Sequence, residues 1–246
     1  MKTFLPAVAS LGLALALPFT LQAQDTAPPV VAPEESAHAH LVAVMSPDAL
    51  HEASFANTVS ELRRFYMENP DFVLLEKECP GLTDNIFEKS EDEMREYHWA
   101  EANAIRSLML DLVTEYLTDE QAREGAALYG TPLGQKVIIA AGQNQNLQNT
   151  MESAVENKGG EVDRTAFDRD QRATTSKVLR TLTRAEIEEF GRLAMGSKFL
   201  PAFQRLNPLI QQRKFELLNS DRLSAYETRM QAAMQDAMNS HIEACN

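Results

Sequence analysis

No basic cluster interrupts this chain. Lys and Arg number 23 against 36 Asp and Glu, a formal net charge of −13. Nucleic-acid binding depends on Lys and Arg neutralising phosphates, and docking on anionic lipid needs the same charges. Both partner classes are disfavoured. Strand patterning is missing too: no segment alternates apolar and polar residues, and Val, Ile and Thr are scattered. Cysteine is scarce. Cys79 and Cys245 are the only two, and an even count in an exported chain implies that they pair.

Catalytic signatures are also absent. The sequence contains no His-Glu-x-x-His, Gly-x-Ser-x-Gly or Ser-x-x-Lys. GTPLGQK, Gly130 to Lys136, fails as a phosphate-binding loop. Its Gly spacing is one residue short, Gln135 separates Gly134 from Lys136, and Val137 stands where a hydroxyl is needed. HIEAC, His241 to Cys245, lacks the Pro-Cys-x-x-Cys that completes a zinc deaminase. Glu91-Asp92-Glu93 reads as a solvated helix face.

What is there begins with MKTFLPAVASLGLALALPFTLQAQ. Lys2, the apolar run Phe4 to Leu21 and the small residue Ala23 make residues 1–23 a secretory signal peptide. Pro6 and Pro18 argue against an anchor, and no Cys follows the run to carry a lipid. The expected location is the periplasm, with no membrane span after cleavage. Residues 24–44 read as a Pro- and Ala-rich disordered linker. Residues 45–246 remain as a helical domain of about 200 residues, enough for one sizeable core or two small ones. A connector at 157–164 would join two halves.

Helical periodicity dominates that domain. Ile105, Leu108, Met109, Leu112, Val113 and Tyr116 form one apolar stripe. Ser46 and Pro47 predict one helix start, Asn69-Pro70 its stop, and Thr83 the cap of a long helix through Trp99. Thr118 with Gln121 predicts a capping box, and Gly130 a left-handed helix end. Thr131 then caps the next helix with Pro132 at its first position. Its expected buried face is Leu133, Val137, Ala140, Ala141, Leu147, Met151 and Val155, and Gly134 would admit a neighbouring backbone closely. A loose second copy follows, in which Leu182, Thr183, Glu189 and Leu193 match Leu117, Thr118, Glu124 and Leu128. Pro208 marks a kink or a fresh helix start. The fold class is therefore all-α, a helical bundle with two loosely repeated helix–turn–helix units.

LTDEQAREGAALYGTPLGQK resembles the signature of a bacterial periplasmic family known only as a domain of unknown function. Its aromatic-x-Ser/Thr-Pro-x-Gly-Gln motif falls on Tyr129, Thr131, Pro132, Gly134 and Gln135. The resemblance implies an all-α exported protein and carries no reaction with it. The second copy lacks the aromatic, the Pro and the Gly-Gln.

One further constellation carries possible chemistry. Met230, Met234, Met238 and His241 follow helical spacing, and thioethers with an imidazole can hold Cu(I). Leu223 and Tyr226 extend the same stripe, which favours core packing. Elsewhere His51 lies near a helix start and His98 beside Trp99. The sequence thus points to a non-catalytic binding or interaction protein of the cell envelope, without a cofactor, whose partner is an envelope protein or a small ligand. The alternatives are an enzyme whose site forms only in three dimensions, and a metal-binding protein using the Met–His stripe.

Overall fold

Ser36 Oγ accepts the N–H of Ala39 at 3.1 Å and starts the first helix, α1, Ala37–Met45. The structure, a computed structural model, describes residues 36–157 and 161–245. The expected signal peptide, residues 1–23, lies outside the described residues. The expected linker does not extend to residue 44, because α1 buries Leu41 and Val42 in the core. Its His38 Nε2 also pairs with Leu117 O at 2.9 Å.

The helices that follow are α2 Asp48–Glu68, α3 Pro70–Glu78, α4 Leu82–Lys89, α5 Glu91–Tyr116, α6 Asp119–Tyr129 and α7 Pro132–Gln143. Then come α8 Gln148–Glu156, α9 Arg164–Thr181, α10 Arg184–Ala194, α11 Phe199–Leu218 and α12 Ser224–Cys245. The fold is an all-α bundle. Among the described residues there is no strand, and no helix is long and apolar enough to cross a membrane.

The local signals explain most starts and some stops. Thr118 and Thr183 both form complete capping boxes, with Gln121 and Glu186, so the two repeated units open in the same way. Asn69 ends α2 and also caps α3, accepting from Asp71 N and Phe72 N. The long helix expected from Thr83 is broken at Ser90, whose hydroxyl donates to Ile86 O at 2.7 Å. The break separates α4 from α5. Gly81 rather than Thr83 precedes α4, at φ 86°, a conformation open to glycine. Gly130 is not left-handed: its φ is −74°, because the chain passes straight into the Thr131 cap. The helix expected to bury both Leu133 and Val155 is two helices, interrupted at residues 144–147. Leu147 and Met151 are buried as expected, whereas Leu133 and Val155 are only partly so. Tyr116, at the end of the predicted stripe, is exposed. Pro208 lies inside a continuous α11.

Two apolar clusters make the core. The first holds Leu41, Val113, Val137, Phe199, Phe203 and Ile210 among others. The second is built around Phe55, Leu62, Phe87, Phe167, Met230 and Met234. These clusters are not two halves of the chain meeting near 157–164. Helix α5 gives Ile105 and Val113 to the first and Met94 and Tyr97 to the second, and α2 and α9 likewise serve both. Cys79, after α3, and Cys245, at the end of α12, form a disulfide with Cα atoms 5.7 Å apart.

Candidate functional site

A polar seam runs beside and between the two apolar clusters. Ser46, His51, Ser54, His98, Glu101, Gln145 and Lys214 are all buried. Buried ionisable groups of this kind are rare unless paired. The seam starts at the corner between α1 and α2. Ser46 was expected to cap α2; instead its Oγ pairs with His51 Nε2 at 2.6 Å. Arg106, from α5, donates through Nε and Nη2 to Ser46 O at 3.0 and 2.7 Å, and through Nη2 to Asp48 Oδ1 at 2.6 Å. His98 Nε2 pairs with His51 O at 2.9 Å. Farther in, Ser54 donates to Gln145 Oε1 at 2.6 Å.

Burial sets the charge states here. It pushes the His51 imidazole down to about 4, and the nearby Arg106 and His98 push the same way. Burial also lowers His98. Lys214 is pushed down to about 7 by burial, against the pull of the Glu101 carboxylate. Six of these seven residues, all but Glu101, line one interior cavity of about 30 Å³. That space admits about two water molecules.

The seam reaches the surface at Ser46. There a second, open groove of about 600 Å³ is lined by Ala39, Val42 and Ala43 of α1, Pro47 and Asp48 of the corner, and Arg106 and Leu110 of α5. Its walls are mostly apolar, with Ser46, Ser107 and the Arg106–Asp48 ion pair among them. Its volume falls within the range of small-ligand pockets, although the groove is open to solvent.

The predicted motif builds the support behind that corner. Thr131 Oγ1 accepts from Gly134 N at 2.9 Å and donates to Leu128 O at 2.8 Å. A Cβ on Gly134 would stand 2.5 Å from Leu128 O and 2.6 Å from Tyr129 Cα, so the close approach is real. Tyr129 is buried between Phe190 and Phe199, and burial pushes its phenol up to about 12. Gln135 Nε2 donates to both Tyr129 O, at 2.9 Å, and Val44 O, at 3.0 Å. It thereby ties the end of α6 to the end of α1, two residues before Ser46. The motif residues thus form the turn from α6 to α7 and tie it to the end of α1.

Of the predicted metal candidates, Met230 and Met234 are packed in the second core and Met238 lies against it, while His241 Nε2 lies 3.2 Å from Pro80 O. Sequence reasoning missed Ser46, Arg106, Gln145 and Lys214 as site residues and gave His51 and His98 no role. Those residues come from the α1–α2 corner, α2, α5, α11 and the α7–α8 loop, and no local pattern links them. Comparison of the chain with family models, curated proteins and solved structures found no match.

Proposed function

We propose that this is an exported, non-catalytic helical binding protein of the cell envelope, and that its ligand sits in the groove between α1 and α5. The observation that carries the reading is that groove: about 600 Å³, mostly apolar-walled, with one ion pair at its side. The interior His and Lys groups support it too, since a cavity of about 30 Å³ around them is too small for a substrate. The export half of the reading rests on the N-terminal segment and on the Cys79–Cys245 pairing. The acidic balance keeps nucleic acid and anionic lipid as poor partners.

The test is a pull-down of tagged full-length protein from envelope extract, with mass analysis of co-purifying proteins and small ligands. Ala43 is exposed and lines the groove, so Ala43→Trp should fill it without unfolding the chain. Loss of the bound species in that variant, at an unchanged urea midpoint, is the expected result. Equal recovery by both proteins would move the binding face elsewhere.

A second reading is an enzyme. It is favoured by one contact, Ser46 Oγ at 2.6 Å from His51 Nε2, beside the groove. A hydroxyl within reach of a neutral imidazole is the arrangement of an activated nucleophile. Covalent labelling of Ser46 by a fluorophosphonate, abolished in His51→Gln, would establish it over the binding role.

A further inference from the structure

Cys79, His241 and Cys245 meet at the outer end of the second core. Their ligating atoms, two Sγ and one imidazole nitrogen, all lie within 4.8 Å of one another. Cys79 is buried, His241 partly buried and Cys245 exposed. We propose that this cluster, in its dithiol form, is a binding site for a thiophilic d10 cation such as Zn(II), and that the disulfide holds the site closed.

The geometry supports each ligand. His241 and Cys245 are four residues apart on α12 and share one face. His241 Nε2 lies 3.2 Å from Pro80 O. In the tautomer that donates there, Nδ1 keeps its lone pair, and a ring N–H anchored on a backbone carbonyl is how metal-binding imidazoles are oriented. Two thiolates and an imidazole suit Zn(II) or Cu(I).

Contacts other than the S–S bond also hold the elements that carry the ligands. Cys79 N donates to Leu75 O at 2.8 Å and so continues the α3 backbone. The loop after it is clamped by Glu76, whose carboxylate accepts from Gly81 N at 2.8 Å, Thr83 N at 2.8 Å and Thr83 Oγ1 at 2.6 Å. Across the gap, Asn85 donates to Ala237 O at 2.8 Å and joins α4 to α12. Ile86, Phe87, Met230, Met234 and Ala237 pack in one cluster beneath it.

A dithiol reductant opens the site by exchange. Its thiolate attacks the exposed Cys245 Sγ, and the Cys79 thiolate leaves. The second thiol of the reductant resolves the mixed disulfide. In balance, two electrons and two protons pass to the protein, and the reductant becomes a disulfide. Binding the cation releases the two thiol protons. Around a tetrahedral cation the sulfurs stand about 3.8 Å apart, so they must part from bonding distance. Of the predicted metal candidates only His241 belongs to this site.

The experiment uses the full chain, reduced with a phosphine under anaerobic conditions, desalted, and titrated with Co(II) as a spectroscopic probe, then with Zn(II). One equivalent should bind and produce a thiolate-to-cobalt charge-transfer band, displaced by Zn(II). The oxidised protein should show no such band. His241→Ala should weaken binding by about 10-fold or more with the helical circular dichroism unchanged, and Cys79→Ser should abolish the band. If reduction lowers the helical signal, one equivalent of Zn(II) should restore it. A reduced protein without the band, a signal that Zn(II) does not restore, or a His241→Ala variant of wild-type affinity would overturn the proposal.

Discussion

Asp170 Oδ2 accepts the N–H of Thr150 at 2.8 Å, so a carboxylate on α9 caps a helix that begins before it in sequence. Its other oxygen accepts from Asn146 Nδ2 at 2.6 Å, Asn149 Nδ2 at 2.7 Å and Asn149 N at 3.3 Å. Thr174 Oγ1, one turn on, accepts from Asn146 N at 2.9 Å. These bonds from α9 are what separate α7 from α8.

Asp170→Ala should therefore be among the most costly single changes in the molecule. It strands one buried donor and three part-buried ones, and the loss should be about 3 kcal/mol or more in urea melts. Asp170→Asn keeps the shape but loses the charge and brings an amide among donors, so it should fall between Ala and wild type. An Ala variant within about 0.5 kcal/mol of wild type would show that the α7–α8 turn is held by something else.

Acid should weaken the fold through His51. Its folded value of about 4 lies below the ordinary 6.5, so between those two values the unfolded chain binds more protons. Stability is then full above pH 6.5 and falls as pH drops from 6.5 towards 4. The ceiling for this one group is about 3 kcal/mol. His98 acts in the same direction. Asp48 opposes the shift while Arg106 and His98 reinforce it. Urea midpoints at pH 7, 5.5 and 4 should fall less steeply in His51→Gln than in wild type. Parallel curves would assign the acid sensitivity to other groups.

Lys214 and Glu101 should behave as a buried pair. Lys214→Met alone leaves the Glu101 carboxylate without its counter-charge in the interior, at a cost of about 3–5 kcal/mol. Lys214→Met combined with Glu101→Leu should recover most of that loss, because replacing a whole buried pair by apolar groups is close to neutral. A double mutant no more stable than Lys214→Met would mean that the two charges do not interact.

At the motif, Gly134→Val should cost about 3 kcal/mol, since even its Cβ overlaps Leu128 O. Thr131→Ala should cost about 1 kcal/mol through the lost cap. Gln135→Ala matters more than its place after the turn implies, because it deprives Tyr129 O and Val44 O of their donor. About 1–2 kcal/mol is expected. Lys136 pairs with Glu186 at 2.5 Å on a half-exposed surface, and its Ala variant should change stability by less than about 1 kcal/mol. Urea melts of the four proteins give the order directly.

The fold class and the local punctuation were legible because their causes are local. Thr118 with Gln121, Thr131 with Pro132, and the Ile105–Val113 stripe need only neighbours three to eight residues away. The α7–α8 break was not legible, because Asp170 and Thr174 impose it from another helix. Helix α1 was hidden by the Pro-rich stretch before it and by a burial that depends on the first core. The seam was the least visible. Ser46, His51, His98, Arg106, Gln145 and Lys214 are spread over most of the chain, and only the folded backbone brings them together.

The order in which the chain emerges bears on the Cys79–Cys245 bond, whose partners are separated by 166 residues. Cys79 is synthesised long before its partner and waits as a lone thiol. With only two cysteines in the sequence, it has no wrong intramolecular partner to choose. Met230 and Met234 of the second core arrive late as well, so oxidation and completion of that core both wait for α12. A chain truncated before α12 would carry both an unfilled core and an unpaired Cys79, two separate defects from one deletion.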